Sequence, residues 1–346
     1  MQEVNPEMVI IARESRGLSQ SVLAQRMGIS QGILSKIETG SMKTSEEVLA
    51  KLENYLKYPQ KFFFQIGRIY PGISYHRKRK SIPQKTINQV DASINILRLH
   101  FEKLLKNIEF LENNIPYFPI EEDKITARDI ARAVRQRLML PKGPVDNLTR
   151  VIEDAGCIIM HCDFGTRMLD GLSLCVPKLP PMMFINKNIP GDRLRFTIAH
   201  ELGHIVMHEY CTPTMEEEAN EFAAEFLMPA QDIRAELTGL SIEKLANLKM
   251  RWKTSMQSIL MRAATLNKIQ ERNKQYLWMQ MGKAGYRTHE PIEIEYEKPT
   301  LYKEIIESHI DELNYSIEEL SELLSIYKDE LEQIYFDLKP TLRLVK

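Results

Sequence analysis

Arg195-Phe196-Thr197-Ile198-Ala199-His200-Glu201-Leu202-Gly203-His204-Ile205-Val206-Met207-His208 reads as an apolar helix carrying a few polar side chains at helical spacing. On such a helix His200 and His204 stand one turn apart, so both imidazoles leave the same side and can reach a single ion, at about 2.0–2.1 Å for zinc. Glu201 sits beside them, where a carboxylate takes a proton from water that the ion has made acidic. The bland alternative is a pair of core histidines with satisfied hydrogen bonds. Two imidazoles and a carboxylate on an apolar helix would then need partners, because polar groups buried without them are costly. His208 adds one further turn. It lies too far along the axis from His200 to share its ion and is a candidate outer partner of the ligands.

A third ligand is expected downstream. Met215-Glu216-Glu217-Glu218-Ala219-Asn220-Glu221-Phe222-Ala223-Ala224-Glu225-Phe226-Leu227-Met228-Pro229 is an acidic helix whose apolar face, Ala219, Phe222, Ala223 and Phe226, must pack inward. Glu218 lies at the edge of that face beside small Ala219 and is the expected ligand; Glu217 and Glu221 read as weaker candidates or solvated charges. Upstream, the pattern shortens to strand-like runs at Cys157–Met160, Gly171–Val176 and Met182–Asn186, which predict a small sheet. Asn186 closes the last run, another candidate outer partner, beside a cleft where an extended peptide could add as a strand.

Together, Met183–Asn186, Arg195–His204 and Glu218–Pro229 resemble the ImmA/IrrE family of zinc metallopeptidases, over about residues 120–285. The resemblance implies a zincin-like fold, Zn2+ held by two His and a downstream Glu, Glu201 as catalytic base, and protein substrates, often repressors of phage or mobile-element genes.

At the other end, Leu18-Ser19-Gln20-Ser21-Val22-Leu23-Ala24-Gln25-Arg26-Met27-Gly28-Ile29-Ser30-Gln31-Gly32-Ile33-Leu34-Ser35-Lys36-Ile37-Glu38-Thr39-Gly40 places two short helices around a tight turn. Ser19 and Ser30 are placed to cap each helix, and Gly28 makes the turn. The segment resembles the helix-turn-helix of the lambda-repressor/Cro type, also called the Xre type, over about residues 7–64. That resemblance implies a second helix in the major groove. Gln31 becomes the best base reader, with Gly32 and Ser35 on the same outer face, while Gln20, Lys36 and Lys43 are phosphate contacts. A single such domain reads a half-site, so a homodimer on double-stranded operator DNA is expected. A helical protein-binding module is the alternative.

A length of 346 residues exceeds one hydrophobic core, and 43% hydrophobic with 27% charged residues describes globular rather than disordered chain. The expected fold class is multidomain and mainly α with an α+β centre. Four segments are expected: a helix-turn-helix domain at 1–66, a linker with a long amphipathic helix at 67–119, a peptidase domain at 120–285, and an acidic helical segment at 286–346. Within the second, apolar spacing predicts one helix over 85–113, after the basic run His76–Lys80; a capped helix is expected at 126–138, with Asp129 in the place of the usual Glu. Residues 241–266 predict two helices in a helix-turn-helix shape, packing against the peptidase rather than DNA. A capped helix at Ser316 begins an acidic element for partner binding, dimer packing or sensing.

Residues 1–80 carry 13 Lys and Arg against 7 Asp and Glu, which suits a polyanion, whereas 286–346 carry 7 against 15, which does not. No apolar run approaches a membrane span and the N-terminus lacks signal-peptide character, so a cytoplasmic location without membrane contact is expected. Cys157, Cys162, Cys175 and Cys211 show no CxxC pair and read as reduced, small buried hydrophobes; His161 beside Cys162 has no partner at ligand spacing. The expected function is a DNA-binding regulator with a zinc-dependent endopeptidase domain that cleaves a repressor-like protein or itself, in a mobile-element or stress setting. The alternatives are a non-proteolytic repressor whose zinc domain senses or scaffolds, and an antitoxin gripping a toxin partner.

Overall fold

Small polar side chains start most of the helices. In the computed structural model, which describes residues 3–70, 82–110, 113–120 and 125–336, α1 (Pro6–Ser15) begins at Asn5, whose side chain accepts from Glu7 N. α2 (Gln20–Met27), α3 (Gln31–Glu38) and α4 (Glu46–Leu56) begin at Ser19, Ser30 and Ser45 in the same way. A 3-10 turn (Gln60–Phe64) and α5 (Gln84–Leu104) follow. The basic run 76–80 lies outside the described residues.

Further along stand α6 (Ala127–Arg137), α7 (Leu148–Asp154), β1 (Ile158–Cys162), β2 (Gly171–Leu174), β3 (Met182–Asn186), α8 (Gly191–Met207), α9 (Met215–Leu227) and α10 (Ala230–Ile233). The chain ends with α11 (Ile242–Trp252), α12 (Met256–Thr265), α13 (Glu271–Lys283), α14 (Leu301–Asp311), α15 (Ile317–Leu324) and α16 (Lys328–Tyr335). The fold is thus multidomain and mainly helical, with an α+β centre. The chain divides into two compact units: α1–α5 join α14–α16 in one, and α6–α13 with the sheet make the other.

In the first unit Met8, Ile11, Leu23, Met27, Leu34, Ile37, Leu52 and Phe62 form a buried core. α2 ends on Gly28 in the left-handed region (φ 66°), which turns the chain into α3 without the strain a side chain would add. α5 packs on α1. It ends at Leu104 rather than near 113, because Leu104 is the last fully buried apolar residue of the described stretch up to 110.

The acidic C-terminal helices complete this unit. Arg16 donates two hydrogen bonds to Glu330, at 3.0 and 2.9 Å, while also bonding Leu56 O and stacking over Tyr58. Tyr335 meets His100 of α5 at 2.9 Å, and Leu320, Leu324 and Leu331 are buried. α15 and α16 repeat the pattern of α2 and α3. Each pair has two helices of 8 residues, a serine cap before the first, and a left-handed residue three positions before the second, Gly28 in one and Ser325 (φ 59°) in the other.

In the second unit the sheet runs β1-β3-β2, with β3 parallel to β1 and antiparallel to β2. All of β3 is buried, and α8 packs against β2, β3 and α9. Gly203 permits that last approach: a Cβ there would stand 3.2 Å from the Phe222 ring and 3.3 Å from Ala219 Cα. Several charges buried here are paired, which offsets the cost of their burial. Arg195 bonds Glu297, Arg262 bonds Glu225, and Lys249 bridges Asp192 (2.6 Å) and Glu290 (2.8 Å). Through Glu290 and Glu297 the stretch after α13 lies against the first turns of α8, so this unit continues past residue 285 to 299.

Candidate metal centre and DNA-facing helix

α8 is held by Leu194, Ile198, Ala199, Leu202 and Val206, all fully buried, which fixes the side from which its histidines emerge. The Nε2 atoms of His200 and His204 lie 3.1 Å apart, as the one-turn spacing requires. Glu216, in the first turn of α9, brings its carboxylate oxygens to 3.5 Å from His204 Nε2 and 3.7 Å from His200 Nε2. These three side chains are the group among the described residues whose donor atoms converge as a metal site would require. Glu201 is buried beside them.

The remaining ring nitrogens are engaged on the outside. His200 Nδ1 meets Asn220 Oδ1 at 3.1 Å and therefore carries the proton, since an amide oxygen only accepts. His204 Nδ1 meets His208 Nδ1 at 3.0 Å, and His208 Nε2 meets Glu218 at 3.0 Å. A carboxylate only accepts, so His208 donates from Nε2 and accepts at Nδ1 from His204. Both His200 and His204 are thereby left with a lone pair on Nε2, aimed at the same place as Glu216. Burial, reinforced by His204, pushes the His208 pKa down against the pull of Glu218, which keeps that ring neutral. Two neutral imidazole nitrogens, one carboxylate, and outer partners that fix each tautomer suit a zinc ion with a fourth position open to reactants.

Of the residues expected here, the structure brings His200 and His204 together, keeps Glu201 next to His200 on α8, and bonds His208 to His204. It differs on two residues. Glu218 is drawn to His208, and Glu216 takes the position facing both imidazoles. Glu216 and Glu218 flank the apolar face of α9 on opposite sides at similar angles, so helical spacing alone did not separate them. Asn186 is also elsewhere; its side chain donates to Thr166 O and Leu169 O and accepts from Asn188 N, bracing the loop before β2. Asn220 was not singled out. Glu221 pairs with Arg128.

On α3, Gln31, Gly32 and Lys36 are exposed and Ser35 half-exposed, all on one outer face. Gln20, expected on phosphate, instead donates to Glu38 at 2.7 Å, where Glu38 is also buried against Arg13. Lys43 is exposed and bridges to Glu3.

A helix-turn-helix with an open second helix, in one chain with a two-histidine, one-carboxylate centre on packed helices, defines a DNA-binding regulator carrying a metallopeptidase-type domain. Residues 9–59 match the family model described as helix-turn-helix. Residues 152–264, which span the sheet and α8–α12, match the peptidase family described as the IrrE N-terminal-like domain. The chain fuses these two domains. None of the curated proteins matches it.

Proposed function

We propose that this chain is a transcriptional regulator that binds operator DNA, as a homodimer in the cytoplasm, and uses zinc-dependent endopeptidase activity to cut a regulatory protein, either a repressor-like substrate or itself. The observation that carries this reading is the convergence of His200, His204 and Glu216 with Glu201 beside them, on a chain that also presents the outer face of α3. His200, His204 and Glu216 would hold Zn2+. When bound, the ion makes water acidic enough to attack at neutral pH and polarises the scissile carbonyl. Glu201 accepts the proton of the attacking water and returns it to the departing amine. Glu218 and His208 keep the ligand His204 in its productive tautomer.

Metal analysis of purified variants, paired with cleavage of co-expressed neighbouring proteins, tests this. Wild type, Glu201→Gln and Glu218→Gln should carry about one zinc per chain, as a single three-ligand site predicts. His204→Ala and Glu216→Gln should carry little. Cleavage should be lost in Glu201→Gln. Zinc retained by Glu216→Gln but lost from Glu218→Gln would return the third ligand to Glu218. Zinc bound with no protein cut, and regulation unchanged in Glu201→Gln, would instead favour a repressor or antitoxin whose metal domain is a scaffold.

A further inference from the structure

A cavity of about 470 Å³ opens in the first unit where the turn Gln60–Phe64, the end of α5 and the α15–α16 turn meet. Three lysines, Lys61, Lys103 and Lys106, face it from two of those elements. The one carboxylate on the rim, Glu102, is already bonded to Arg98 at 2.9 Å. Phe64, Leu99 and Leu323 add apolar surface to the same lining. Such a volume holds a small organic molecule, and apolar surface with a few converging charged groups is the usual make-up of a ligand site.

Lys103 is the pivot. Its ammonium donates to Leu323 O at 2.8 Å and to Ser325 Oγ at 3.1 Å, which leaves its third proton for a ligand. Burial, then the fields of Lys61 and Lys106, push its pKa down to about 8. Three amines gathered around a partly dry cavity repel one another. Fold stability alone gives no reason to keep all three, since two of them are exposed and hold nothing together.

We infer that this cavity is a binding site for a small amphipathic anion, with a carboxylate or phosphate head among Lys61, Lys103 and Lys106 and an apolar body against Phe64, Leu99 and Leu323. Such a ligand would touch the segment that follows α4, the helix that packs on α1, and the acidic helices at once. It would therefore report to the DNA-binding domain from behind.

Calorimetric titration of the full chain at neutral pH and low salt separates the parts. Octanoate and octyl phosphate carry head and body; inorganic phosphate carries the head alone and octanol the body alone. One or both of the first pair should bind at about one per chain, and at least tenfold more tightly than either half-ligand. Which of the two binds more tightly identifies the head. The double substitution Lys61→Gln/Lys106→Gln, at exposed positions that leave folding intact, should weaken that binding at least tenfold, and Lys103→Met should abolish it. Absence of binding by both amphiphiles, or equal binding by the double variant and by wild type, would overturn the site.

Discussion

Two stretches of the first unit share one local design and differ in what they expose. α2–α3 and α15–α16 each begin on a capping serine, turn through a left-handed residue, and bury the same positions: Leu23 matches Leu320, Met27 matches Leu324, and Leu34 matches Leu331. The backbone follows from those few residues. The outer faces do not match. Where α3 shows Gln31, Gly32, Ser35 and Lys36, α16 shows Lys328, Asp329, Glu332 and Gln333, and it turns Glu330 toward Arg16. The copy that can approach phosphates is left open; the copy that phosphates would repel is built into the fold. A motif of this kind thus fixes shape, and the side chains off its core decide whether that shape meets nucleic acid or protein.

The largest effect should come from the shared core. Leu34→Ala and Leu331→Ala both remove a fully buried side chain and should each cost about 2–5 kcal/mol in denaturant unfolding of the first unit. A cost below about 1 kcal/mol for Leu331→Ala, against the usual range for such truncations, would mean that the acidic copy is an appendage.

Next comes the position at the end of each second helix. In α3 it is Glu38, the salt-bridge partner of Arg13; in α16 it is Tyr335, the hydroxyl partner of His100. Burial drives the His100 pKa from 6.5 down to about 3. The unfolded chain therefore binds a proton that the folded chain refuses. Stability from this site is whole above about pH 6.5 and falls as the pH drops toward 3, by about 2 kcal/mol at pH 5. His100→Gln should flatten that part of the stability profile. A profile unchanged by the substitution would show that His100 takes up its proton while folded.

These differences mark what the sequence could and could not tell. The spacing of His200 and His204 is set along one helix, so it was legible from the residues alone. So were the caps at Ser19, Ser30, Thr126 and Ser316, because a cap acts within one turn. The choice between Glu216 and Glu218 depends on how α9 is rotated against α8, and that rotation is set where Gly203 meets Ala219 and Phe222. Asn186 was misplaced for the same reason: its partners, Thr166 and Leu169, come from a loop whose path no local pattern dictates. The packing of α5 between the helix-turn-helix and the acidic helices is likewise long-range, although the buried side of each helix was plain from its periodicity.

DNA binding sharpens the comparison of outer faces. On an operator selected by wild type from random sequence, Gln31→Ala should lose about 1–3 kcal/mol and relax the preference at one base pair. Lys36→Ala should weaken all sequences alike and reduce the salt slope by about 1. Asp329→Ala, on the matching face of α16, should change neither. A gain in affinity from Asp329→Ala would place the acidic copy close enough to DNA to repel it.

The smallest effect lies in the turn itself. Gly28→Ser puts a side chain at φ 66° and should cost about 1 kcal/mol, the usual penalty for a left-handed residue other than glycine. The reverse change, Ser325→Gly, relieves the same strain at φ 59° but removes the hydroxyl that Lys103 reaches at 3.1 Å. A hydrogen bond to a charged group contributes about 1.5–3 kcal/mol when well buried, and less here because Lys103 is only partly so. The two terms are close in size and opposite in sign, so Ser325→Gly should be nearly neutral while Gly28→Ser is not. With Lys103→Met as background the hydrogen bond is already gone, and Ser325→Gly should then stabilise by close to the full 1 kcal/mol of left-handed strain. If it does not, the serine hydroxyl has no part in holding Lys103, and the two turns differ in composition without differing in energy.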